Sequence, residues 1–141
     1  MNTITGILAT IILCFLSFIH VYWAFGGERW IDLVIPQAGQ GGPKMLSPTT
    51  GITLVIAFIL LAMAGICIAV LYFQAKGQVP KLISVSAWAI SILFLLRAIG
   101  EFKYVGFFKQ VADTPFAHYD TLVYSPLCVV IALLIIGTLK L

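Results

Sequence analysis

Four apolar runs of about twenty residues each constrain this chain more than any other feature of its sequence. A hydrocarbon core of roughly 30 Å takes about 20 apolar residues to cross as a helix. The runs fall at about 4–25, 51–73, 82–99 and 120–140, and they leave little chain over for anything else. Composition agrees: 62% of the 141 residues are hydrophobic and 9% are charged, against roughly 25% charge in an ordinary soluble domain. The expected fold class is therefore all-α: a single polytopic membrane domain, a bundle of four transmembrane helices with two long loops on one side. A net charge of +3, scattered along the chain, gives no electrostatic footprint for nucleic acid.

The first run has no Lys or Arg before it and no small-x-small cleavage site, and it exceeds a typical leader core, so it is expected to stay as the first span. It closes in FIHVYWAFGG, which puts His20, Tyr22 and Trp23 near the last turn and two helix-stopping glycines after it. His20 and Trp23, three apart, share a face. His20 is expected either to satisfy itself on a backbone carbonyl or carboxylate at the membrane boundary, or to serve a site there. Residues 26–50 are too rich in Gly and Pro for a continuous helix. Glu28 and Trp30 open this segment, and Ile31, Leu33, Val34 and Ile35 predict a partly ordered lid.

The second span carries Gly65 and Ala69 four apart, and the third carries Ser84, Ala87 and Ser91; both are read as narrow seams for packing within the chain. The three cysteines, Cys14, Cys67 and Cys128, have no C-x-x-C or clustered-ligand spacing. They are read as inert buried thiols, with no metal site implied.

Polar chemistry concentrates between residues 97 and 128, RAIGEFKYVGFFKQVADTPFAHYDTLVYSPLC, which holds seven of the chain's fifteen Lys, Arg, Asp, Glu and His residues. Arg97 lies close to the far end of the third span and needs a partner if it faces the bundle. Glu101, four residues on, would pair with it if the helix continued past Gly100, and Tyr104 would extend that face. Pro115 is expected to break an interfacial turn, and the fourth span to begin near Asp120, which suits an N-cap or first-turn position. Pro126 should kink that span unless the helix begins there. The candidate set is His20, Tyr22, Trp23, Glu28, Trp30, Arg97, Glu101, Tyr104, Lys109, His118, Asp120 and Tyr124, gathered at one end.

Three separated motifs, FIHVYWAFGG, RAIGEFKYVGFFK and FAHYDTLVYSPLC, resemble in this order a family of small bacterial four-span membrane proteins of unknown function. In that family's pattern an Asp often stands where this chain has Glu101, and an Arg where it has Lys103; both changes keep the charge. The resemblance covers nearly the whole chain and implies a four-helix integral membrane protein, with no activity attached.

Two function classes then compete. In the first, a structural or accessory membrane subunit, Arg97, Glu101 and Asp120 form a buried ion network that pins the third and fourth helices. In the second, a pocket around Arg97, Glu101 and His20 takes a lipophilic ligand such as a quinone, isoprenoid or lipid, with His20 or His118 as the proton-transfer group. A homo-oligomeric transporter would want an acid at mid-membrane, which all four spans lack. Haem held by His20 and His118 is a further alternative. Whether the chain is an enzyme stays open. The bilayer is the expected environment, with a lipophilic ligand or a second membrane protein as partner. The Lys76/Lys81 loop has no acid, which favours a multi-pass protein of the bacterial inner membrane with both termini cytoplasmic.

Overall fold

A computed structural model describes residues 2–44 and 48–139. In chain order these form α1 (Asn2–Ala24), α2 (Ile31–Val34), α3 (Thr50–Ala75), α4 (Lys81–Ile99), α5 (Pro115–Tyr119), a π-helical turn (Asp120–Tyr124) and α6 (Ser125–Leu139). Four helical runs are long and apolar enough to cross a membrane: Thr3–Ala24, Thr50–Ala75, Lys81–Ile99 and the combined run Pro115–Leu139. Only 22–28% of each run's most apolar stretch is buried within the protein, so most of its apolar surface faces outward. In water that surface would be a liability; in a bilayer it faces its own kind.

The helix ends follow local chemistry. At the end of α1 the Gly26 amide donates to Trp23 O and the Gly27 amide to Tyr22 O, with Gly26 at φ +88°. Past α3 the Gly77 amide reaches Gln74 O and Gln78 reaches Phe73 O. Both are Schellman closures, which need a left-handed residue just past the helix. Thr49 caps α3 at its start, and Thr114 caps α5 by accepting the Ala117 amide at 3.1 Å.

α1 packs on α3 and α6, and α4 packs on α6 and α3, closing a ring of four long helices. The core runs down its axis: Ala9 and Leu13 from α1, Leu60 and Ala64 from α3, Ala87 and Phe94 from α4, Ile131 and Ile135 from α6. Small residues at the contact lines let the backbones approach, since lipid leaves helices no hydrophobic reason to associate. Ala87 and Ser91 form such a seam, both fully buried. Gly65 does not. It is exposed, and a Cβ placed on it would meet nothing within 4 Å. The buried stripe of α3 is instead Thr53, Ala57, Leu60, Ala64, Cys67 and Val70, a helical period that misses Gly65. Cys14 likewise lies on the outer face of α1, while Cys67 and Cys128 are buried.

Hydrogen bonds stitch the pairs. Ser17 Oγ, buried, donates to Ala57 O at 2.8 Å across α1 and α3. At the opposite end the Thr5 and Thr138 hydroxyls meet at 3.1 Å, and Gln74 donates to Thr138 O.

The last helical run starts at Pro115, earlier than the expected start near Asp120. Proline suits a first helical position, because its missing N–H would have been an orphan there. Pro126 then falls inside the run. A proline ring clashes with the carbonyl four residues back. The π-turn over Asp120–Tyr124, closed by the Ser125 amide on Asp120 O, widens the helix at that point and keeps the run continuous.

Between α1 and α3 the chain makes the short helix α2 and an isolated antiparallel bridge, Gln37–Lys44. Ile35 is buried and α2 rests on α5, so the described part of this segment folds down over the helix ends as a cover.

Candidate functional site

Asp120 is completely buried and collects three donors. Arg97 Nη2, from the last turn of α4, reaches Oδ1 at 3.0 Å. The Gly106 amide reaches Oδ2 at 2.7 Å, and Lys109 Nζ reaches the same oxygen at 3.2 Å. Lys109 is also fully engaged: its ammonium donates to Gly106 O at 2.9 Å and to Thr121 Oγ1 at 2.6 Å besides the carboxylate. Its three protons match three acceptors. Its side chain is 3% exposed, against 36% for Arg97. The cluster thus holds two cations on one carboxylate, tying α4, the 100–114 segment and the last helix together.

Two glycines make this approach possible. Gly100 (φ +84°) and Gly106 (φ +92°) lie back to back. A Cβ on Gly100 would sit 1.8 Å from Val105 O, and one on Gly106 would sit 2.3 Å from Ile99 O. Both obstacles are backbone and cannot swing aside. The Phe107 amide donates to Ala98 O at 2.9 Å, folding the segment back onto the end of α4.

The network differs from the expected one in two respects. α4 stops at Ile99, so Glu101 is not carried round to Arg97; it is exposed and accepts the Tyr104 amide at 2.9 Å. Asp120 is the carboxylate that meets Arg97, and Lys109, a second cation, joins the cluster where Glu101 was expected as a second acid. Asp120 is neither an N-cap nor a first-turn residue. Thr114 caps the run, and Asp120 lies in the π-turn, facing inward. Two buried polar atoms have no partner among the described residues, Arg97 Nη1 and Ser125 Oγ. Beside Arg97 lies an open cleft of about 590 Å³ lined by Leu96, Gly100, Glu101, Tyr104, Val105 and Pro36.

Pro36 also lines a second, more enclosed cavity of about 270 Å³. His20, Trp23 and Ala24 form one wall, Thr50, Thr53 and Ile56 another, and Ile31, Val34 and Ile35 the roof. His20 Nδ1 donates to Leu16 O at 2.8 Å, one turn back on its own helix. The Trp23 ring meets the imidazole edge-on at 5.1 Å, and its Nε1 donates to Arg29 O at 2.8 Å.

The remaining candidates do not join either constellation. Tyr22 and Glu28 border a shallow exposed depression with Phe25 and Arg29. Trp30, with φ +63°, stays exposed beside Phe15 and Phe18. His118 is exposed, its ring edge-on to Tyr119 at 5.8 Å, and lines neither the cleft nor the cavity, so the two histidines do not share a cavity. Tyr124 packs on Phe116 at 6.2 Å. Among the described residues no three His, Cys, Asp or Glu side chains are grouped as metal ligands.

Residues 13–135 match a family described as "Protein of unknown function (DUF3995)". The chain belongs to this family. No curated protein and no solved structure matches the chain. The DUF3995 match spans both the His20 cavity and the Asp120 cluster.

Sequence reasoning passed over Gly106 and Thr121, which complete the cluster. The signal was present in the RAIGEFKYVGFFK motif, where two glycines six apart flank a short charged loop. Their function depends on a backbone contact that spacing alone does not reveal.

Proposed function

We propose that this DUF3995 protein is a structural or accessory subunit of a membrane, a four-helix bundle whose charged cluster serves its own architecture. The observation that carries the reading is the enclosure of Asp120: a completely buried carboxylate held by three donors, one of them an ammonium with all its protons engaged, is a clamp. A general base must come within hydrogen-bond reach of its substrate, and this carboxylate has no exposed surface for one to meet. Burying such a group is expensive, and the return is often a unique arrangement of helices rather than net stability. The acid-free loop holding Lys76 and Lys81 favours placing it and both termini on the cytoplasmic face of a bacterial inner membrane.

The test pairs stability with assembly. Asp120→Asn should lower the thermal midpoint in detergent and remove the protein from any larger complex seen on a blue-native gel of its own membranes. A wild-type protein that migrates alone in native membranes would end the accessory reading. An unchanged midpoint in Asp120→Asn would end the clamp.

A second reading has one observation in its favour. Arg97 lines the open cleft and keeps 36% of its side chain exposed, which offers a cation to a carbonyl or anionic group of a lipophilic ligand. Arg97→Lys, which keeps the charge but not the fork, would then weaken that ligand while leaving the fold intact.

A further inference from the structure

The cavity beside His20 contains polar groups that the Asp120 clamp does not use. Its volume of about 270 Å³ lies close to the lower end of small-molecule sites, ~300 Å³. Most of its lining is apolar, and none of its lining residues is Asp, Glu, Lys or Arg. A buried anion or cation would therefore lack a counter-charge there.

The polar atoms that remain are biased toward acceptance. With Nδ1 donating to Leu16 O, a neutral His20 ring carries its lone pair on Nε2, which has no partner among the described residues. Trp23 Nε1–H is engaged by Arg29 O. The Thr53 hydroxyl hydrogen is engaged by Thr49 O at 3.0 Å, leaving that oxygen as a further acceptor. Thr50 adds a hydroxyl, exposed on the first turn of α3 where water competes for it. A site so arranged favours an O–H donor over a ketone or an ether, because a carbonyl would set lone pair against lone pair.

We infer that this cavity binds a lipophilic alcohol or phenol whose hydroxyl donates to His20 Nε2. The apolar part lies against Ile35 and Ile56, and the Trp23 ring borders the hydroxyl end. Ile56, on the membrane-spanning α3, is 39% exposed and lines the cavity, and the ligand enters beside it from the membrane. The inference goes beyond the structural reading and stands without it, because no residue of the cavity belongs to the Asp120 cluster.

The experiment titrates the wild-type protein in lipid nanodiscs with a long-chain 4-alkylphenol and with its methyl ether, read by calorimetry and native mass spectrometry. The ether keeps the ring and the chain, is larger by one methyl group and lacks the donor. One phenol should bind per chain, with the ether weaker by about fivefold, the factor expected for one neutral hydrogen bond. His20→Phe keeps an aromatic ring and removes the acceptor, and should bring the two probes level. Equal wild-type affinities, no saturable phenol binding, or a preference that persists in His20→Phe would each overturn the assignment. The wild-type pair decides even if the variant does not fold. The clamp is judged separately by the thermal midpoint of Asp120→Asn.

Discussion

Asp120 and His20 lie at the same end of the helices, and Pro36 borders the hollow beside each of them, yet the two sites are built on opposite terms. Asp120 is a charge in complete burial, and every strong interaction around it is made by the chain itself. His20 is half-buried, uses one nitrogen on its own helix and has no partner on the other, in a side chain that lines an apolar hollow. A buried charge is tolerated only when its surroundings are complete. A neutral ring costs little to leave half-used. Rigidity therefore belongs to the Asp120 end of the contrast, and capacity for a guest to the His20 end.

The contrast is broken most severely by Asp120→Ala, which strands Lys109 and Arg97 together; the expected loss is about 3–5 kcal/mol, read from thermal or denaturant unfolding in detergent. Gly106→Ala comes next, at about 2–4 kcal/mol, because a Cβ meets the Ile99 carbonyl and the backbone stays at positive φ. A Gly106→Ala protein as stable as wild type would mean that the 100–114 segment does not pack as described. Ser17→Ala, one turn before His20, removes the α1–α3 hydrogen bond and should cost about 0.6 kcal/mol by the same assay. His20→Phe should change stability by less than about 1 kcal/mol while abolishing phenol selectivity, which sharpens the contrast instead of breaking it. Smallest is Glu101→Gln, expected within about 0.5 kcal/mol, since an exposed carboxylate capping one amide is easily replaced by water.

Much of the architecture could be read from the residues in order. The helix end at Gly26, the Ala87–Ser91 seam and the crowding of polar groups toward one end all follow from local pattern. The errors share a cause. Gly65 looked like a packing residue because it is small, but the helical phase of α3 turns it outward. Glu101 looked like Arg97's partner because it is four residues away, but Gly100 ends the helix first. Pro115 looked like a break, and with Thr114 behind it becomes a start.

Residue order alone was enough for the number of helices long and apolar enough to cross a membrane and for the identity of the charged residues that must be satisfied near their ends. Those are consequences of local composition and of the distance a helix must cover. Which group satisfies which is a matter of long-range contact. Asp120 meets Arg97 from twenty-three positions back and Lys109 from eleven. Those meetings depend on two glycines touching through their backbones and on a π-turn that keeps the proline-bearing helix continuous. Neither leaves a periodic trace in the sequence, because each is a contact between backbones and not a preference of side chains.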